Sequence, residues 1–154
     1  MKKSASIISS VLLIAVLVSS LAISVFATDH IDTELKPFSI SAYLSGYTHI
    51  YNPRLKYNDS DMVIRITSGT NSYYYVRAVD CDASGTTFTN YTLLNNVRVE
   101  HVTAHKDILY SIDSLVYYVG DVYATFGIKS PGNPGSVGGE WAPDSSVKYT
   151  SPTE

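Results

Sequence analysis

MVIRITSGTNSYYYVRAV, residues 62–79, holds two alternating runs about a single break. In the first, Met62, Ile64 and Ile66 share one face, and Val63, Arg65 and Thr67 the other. In the second, Tyr73, Tyr75, Arg77 and Val79 alternate with Tyr74, Val76 and Ala78. Neighbouring side chains of a strand point to opposite faces, so a period of two marks a half-buried strand. Ser68-Gly69-Thr70-Asn71 supplies turn chemistry between the runs. The stretch therefore reads as a β-hairpin.

The same reading extends outward in both directions. Phe38, Ile40, Ala42 and Leu44 alternate with Ser39, Ser41 and Tyr43, and Gly46 ends that strand. Tyr47 to Tyr51 is a further alternating run, closed by Asn52-Pro53. Asn58-Asp59-Ser60-Asp61 is a turn, because these side chains bond their own backbone. Residues 87–93 and 97–103 form a second pair around Asn95-Asn96, a dipeptide that tolerates positive φ. Residues 102–119 fit a helical stripe through Val102, His105, Leu109, Ile112 and Val116, but also alternation. Enrichment in Val, Ile and Tyr favours strands. DVYATFGI reads as a strand ending near Ile128. Residues 130–140, SPGNPGSVGGE, read as a flexible loop, with Trp141 folding back over one end of a sheet.

Short strands with frequent turn signals indicate an all-β fold, an antiparallel β-sandwich or barrel-like domain. It is expected over residues 38–145, between a polar leader at 28–37 and a frayed tail at 146–154. No repeat of fixed period and no second domain are apparent. The 154 residues are 45% hydrophobic, too apolar for a disordered chain. A net charge of -3 speaks against a non-specific nucleic-acid binder, which needs a basic stripe. The one cysteine, Cys81, cannot close an internal disulfide and reads as a small buried hydrophobe.

The N-terminus carries a targeting pattern. Lys2 and Lys3 precede a stretch without charge from Ser4 to Thr28, with VLLIAVLV at its centre. Val25-Phe26-Ala27 then offers small side chains where a signal peptidase grips. Residues 1–27 are expected to be a signal-peptide helix cleaved after Ala27. The alternative is an uncleaved membrane anchor, since Ile7 to Phe26 is just long enough to span a bilayer. Cleavage would leave 9 basic and 14 acidic residues, because only two lysines are removed from the 11 basic residues.

The Phe38-Ser39-Ile40 opening, the tyrosine-rich middle and GGEWAPDS at Gly138–Ser145 together resemble a protein family. It comprises small uncharacterised secreted proteins of Gram-positive bacteria, typically ending Gly-x-Trp-(Ser/Ala)-Pro-(Asp/Glu)-(Ser/Thr). Some members are similar in layout to small secreted bacteriocins of the lactococcin type. The resemblance implies secretion and an all-β fold, and supplies no catalytic residue. One departure is Thr48 after Tyr47, where such proteins often carry a Tyr-Arg pair.

The remaining residues offer little chemistry. His101 and His105 would share one side of a strand but lie roughly 13 Å apart, and no zinc-protease glutamate stands between them. Asp80-x-Asp82-x-Ser84-Gly85 copies half of a calcium loop, but its twelfth position is Tyr91 rather than a bidentate Glu. No nucleophile motif or phosphate-cradling loop is present in the sequence, so the expectation is a non-enzyme without metal or cofactor.

Tyrosines are the remaining signal. Consecutive Tyr73, Tyr74 and Tyr75 split between two faces of a strand, as do Tyr117 and Tyr118. These five and Trp141 are the candidate binding residues, suited to sugar rings or a protein surface. The function expected is a secreted binding or effector module, bacteriocin-like, whose partner is an envelope glycan or an extracellular protein. The alternative is a surface structural or adhesion protein retained by its apolar segment.

Overall fold

A computed structural model describes residues 31–117 and 123–153. The proposed signal helix, its Ala27 cleavage position, Tyr118 and the start of the DVYATFGI strand lie outside the described residues. Twelve strands are described: β1 (Lys36–Ala42), β2 (Thr48–His49), β3 (Arg54–Leu55), β4 (Met62–Gly69), β5 (Tyr73–Cys81) and β6 (Phe88–Asn90), followed by β7 (Leu93–Leu94), β8 (Val97–Arg98), β9 (Val102–His105), β10 (Leu109–Ile112), β11 (Tyr123–Lys129) and β12 (Gly135–Ala142). The fold is all-β and every strand pairing is antiparallel.

Two sheets carry the domain. The first has the order β1-β12-β4-β10. In the second, β11 and β5 pair at the centre; β2 and β3 flank β11, while β6 and β9 flank β5. Alternate side chains of both sheets meet in one hydrophobic cluster, a sandwich-like arrangement. Phe38, Ile40, Ile64, Ile66, Ile112, Val137 and Trp141 come from the first sheet, and Tyr74, Val76, Val102, Phe126 and Ile128 from the second. Trp141 meets Phe126 edge to face at 5.8 Å, one of the contacts that joins the layers.

The opening stretch is not a hairpin. β4 and β5 are both strands, but each lies in a different sheet, so the chain arches across the core between them. The alternation was the correct signal for strands, yet it cannot say whether successive strands pair or face each other. Tyr74 closes the arch. Its hydroxyl accepts a hydrogen bond from the Asn71 amide at 3.2 Å. Gly69 holds φ at 148°, and a Cβ there would lie 2.1 Å from that hydroxyl oxygen. Within the 102–119 segment, β9 and β10 are strands, with Asp107 at φ 67° between them, and these also lie in different sheets; the second alternating run, from Leu115, forms no strand among its described residues. Asn95 and Asn96 adopt φ of 52° and 63° and turn a short β7–β8 hairpin, but the expected pair of 87–93 with 97–103 does not extend beyond it, because β6 and β9 both pair with β5 instead.

The reading of 130–140 as a loop holds for 130–134 and is overturned from Gly135 onward. β12 is an inner strand of the first sheet, bonded to β1 on one side and β4 on the other. Its glycines permit the position rather than loosen it. A Cβ on Gly139 would sit 2.0 Å from the Arg65 carbonyl oxygen, beside a bulge between Gly138 and Gly139. The segment read as a frayed tail is also tied down. The Ser111 amide donates to the Thr150 oxygen at 3.0 Å and the Thr103 amide to the Thr153 oxygen at 2.7 Å. The tail thus covers the open edges of β10 and β9, whose unpaired backbone groups draw it in.

One buried polar node joins three distant segments. Lys56 and Asp144 have side chains with no solvent exposure and lie 3.3 Å apart. Lys56 Nζ also donates to the Ser60 and Pro143 carbonyls, the latter at 2.8 Å. Asp144 Oδ2 accepts the amides of Asp32 and Tyr57 at 3.1 and 3.2 Å. Arg54 pairs with Asp32, donates to the Trp141 carbonyl at 2.8 Å and lies over the Trp141 ring. The leader residue Asp32 is therefore anchored, and Lys36 and Pro37 already belong to β1.

Gly139→Ala should cost about 2–3 kcal/mol in urea unfolding, since the neighbouring backbone must shift to admit the methyl group. Gly46→Ala, with nothing within 4 Å of the new Cβ, should stay within about 0.5 kcal/mol of wild type.

Candidate functional site

The outward face of the second sheet gathers the polar aromatic residues. β5 contributes Tyr73, Tyr75 and Arg77. Directly opposed residues project to the same side, so the register sets His105 beside Tyr73, Lys129 beside Tyr75, and both Gly127 and His49 in line with Arg77. Tyr73 meets Tyr75 edge-on at 5.8 Å and His105 at 5.7 Å. Tyr75 lies 4.3 Å from the His101 ring.

Gly127 leaves room at the centre of this face. A Cβ there would fall 3.0 Å from Arg77 Nε and 3.1 Å from His49 Cδ2, so the arginine lies low across the strand. The Tyr47 ring covers the Arg77 guanidinium at 4.0 Å, a cation–π contact, and Lys129 Nζ lies 5.7 Å from the same ring. Tyr47 Oη and His101 Nδ1 share a hydrogen bond of 2.7 Å. Burial, with a smaller contribution from Glu100, pushes the Tyr47 phenol up to about 12.

Arg77 Nη2 stands 3.1 Å from His49 Nε2. Guanidinium has no acceptor, so the imidazole nitrogen must accept and His49 is neutral in this contact. Burial first, and the Arg77 charge second, lower the His49 pKa to about 4. The other face of the imidazole stacks on Phe88 at 3.7 Å.

Beside this stack opens a groove of about 670 Å³. One wall is the segment from Tyr47 to Pro53, and the other is Ala83, Ser84, Gly85 and Phe88. Tyr51 stands on its rim, 74% exposed, and also borders a second cavity of about 350 Å³ that reaches Arg54 and Trp141. The rim projects because the strand along β11 is interrupted. β2 and β3 both pair with β11, and the residues between them bulge outward through Asn52, at φ 62°. Ile50 stays bonded to the sheet, its amide donating to the Phe126 oxygen at 2.9 Å.

The half calcium loop forms the neighbouring turn. The Asp82 carboxylate accepts Ser84 Oγ at 2.7 Å, the Thr86 amide at 2.7 Å, Thr86 Oγ1 at 2.8 Å and the Thr87 amide at 3.2 Å. These hydrogen bonds, Ser84 first and then Thr86, hold its pKa well below the usual carboxylate range. Asp80 turns to the Thr89 amide at 2.9 Å instead. The repeated oxygens therefore close their own loop, as ordinary turn residues do.

Of the candidate binding residues, Tyr73 and Tyr75 lie half-buried on the outward face and Tyr117 is exposed elsewhere. Tyr74 and Trp141 are each 1% exposed and belong to the core rather than to the outward face. Tyr74 occupies the inward position of its run, and Trp141 lies on an inner strand rather than beyond a loop. Residues not singled out from sequence complete the face: Tyr47, His49, Tyr51, Arg77, Phe88 and Lys129. The spacing of Tyr47, His49 and Tyr51 at every second position was a legible signal for three of them.

No protein-family model matches the chain, nor does any curated protein or solved structure.

The low His49 value has a measurable consequence. Its contribution to stability is full above its ordinary 6.5 and is lost as pH falls towards 4, where the imidazole must charge beside Arg77. Melting temperatures from about pH 7 to about pH 4.5 should fall more steeply in wild type than in His49→Gln. Parallel slopes would contradict the assignment.

Proposed function

We propose that the protein is a secreted β-sandwich module that binds a cell-envelope glycan through the outward face of its second sheet and the adjoining groove. The observation that carries this reading is the groove itself. It is a cleft of ligand-binding size floored by the stacked His49 and Phe88, rimmed by the exposed Tyr51 and continuous at Tyr47 with the tyrosine–imidazole face. Flat rings with polar tips suit sugars, which present apolar C–H faces edged by hydroxyls. Ser84, Asn52 and Thr48 line the same cleft and can donate or accept hydrogen bonds from those hydroxyls.

Secretion rests on the leader. Two lysines, an apolar centre and Val25-Phe26-Ala27 form a pattern for export and processing. A bacteriocin-like role outside the cell accords with the resemblance of the tail. The tail motif would then be structural, since Trp141, Pro143 and Asp144 are all buried.

Co-sedimentation with purified cell-wall polysaccharide tests the binding reading. Tyr51→Ala should weaken retention by about tenfold or more, as loss of a central aromatic contact does. Tyr149→Ala, exposed beside Ser111 on the other sheet, should leave it unchanged. Equal binding by all three proteins would exclude the groove. Mass spectrometry of the medium should find a chain beginning at Thr28; a full-length chain held in the membrane fraction would favour an adhesion protein instead.

A further inference from the structure

Charge pairing on the surface is uneven. Among the described residues, Lys36, Arg54, Lys56, Arg65 and Lys148 each have a carboxylate within ion-pair distance. Arg77, Arg98, Lys106 and Lys129 have none, although the chain carries more acids than bases, 14 against 11. Two of these four, Arg77 and Lys129, lie against one ring, that of Tyr47. Arg77 Nε is buried and has no hydrogen-bond acceptor. Gly127 removes the side chain that would otherwise stand between these groups and His49.

We propose that the ligand of this face is an anionic saccharide, its carboxylate or phosphate seated by Arg77 and Lys129 while its rings lie on Tyr47 and Tyr75. The inference rests on the glycan-binding reading and adds the charge of the ligand. A guanidinium offers a planar fork to a carboxylate or phosphate, and an ammonium adds a point charge. Glu100 acts on Arg77 only from beyond ion-pair distance, and burial partly desolvates the guanidinium, so an incoming anion displaces less water from it.

Calorimetric titration with three probes tests it: trigalacturonate, its fully methyl-esterified neutral form, and a glycerol-phosphate trimer. At least one anionic probe should bind about tenfold more tightly than the neutral ester. That advantage should shrink to about twofold or less in Lys129→Gln and in Arg77→Gln, and should persist in Lys36→Gln, whose lysine lies on the other sheet. Lys129 is half exposed, so its variant should fold even if the Arg77 variant does not. Which anionic probe binds tells carboxylate from phosphate. Equal affinity for ester and acids, or an advantage that survives Lys129→Gln, overturns the proposed charge preference and leaves glycan binding standing. Binding of none of the three, with no retention on wall polysaccharide, overturns both.

Discussion

The arrangement depends on a lysine and an aspartate taken wholly out of water. Removing two such ions from solvent costs several kcal/mol each, and their attraction compensates only where the remaining polar atoms are also bonded. Here all three protons of Lys56 have acceptors, in Ser60, Pro143 and Asp144, and the second Asp144 oxygen holds two backbone amides. Burial lowers the Lys56 pKa, and Asp144 acts in the opposite direction by its charge and hydrogen bond. The segments it joins are the first described residues, the chain entering from the groove wall, and the end of β12. Without disulfides, such a node supplies the cross-linking that a small domain can otherwise take from cystine.

Period-two alternation made the strands legible. It grouped Met62, Ile64 and Ile66 on one face and Tyr74, Val76 and Ala78 on another, and both groups are buried. What alternation cannot encode is partnership. Two runs about a polar break can pair edge to edge or face each other across a core, and here they face each other, with Tyr74 packed against Gly69 at the arch. β12 was illegible for a related reason. Glycine and proline signal a loop when the chain is viewed alone, but Gly139 is required because the Arg65 backbone approaches within a distance no Cβ allows. Lys56 and Asp144 are 88 residues apart, and no local pattern announces that contact.

The candidate site was half legible. Tyr73 and Tyr75 stand on the face that strand geometry assigned them, whereas Tyr74 and Trp141 serve the core. Both edges of the second sheet carry interrupted strands, and each interruption delivers something to the face. The break between β2 and β3 raises Tyr51, and the hairpin excursion between β6 and β9 returns through His101. A sheet of uninterrupted strands would present a flat surface; these departures from regularity make a groove.

The central claim is that the buried Lys56–Asp144 node holds the groove-bearing segment to the domain, and a double-mutant cycle in urea measures it directly. Lys56→Met and Asp144→Asn should each cost about 3–5 kcal/mol, because each leaves a buried charge without its partner. The double variant should cost at least about 2 kcal/mol less than the sum of the two. Strictly additive losses, or single variants within about 1 kcal/mol of wild type, would contradict the account.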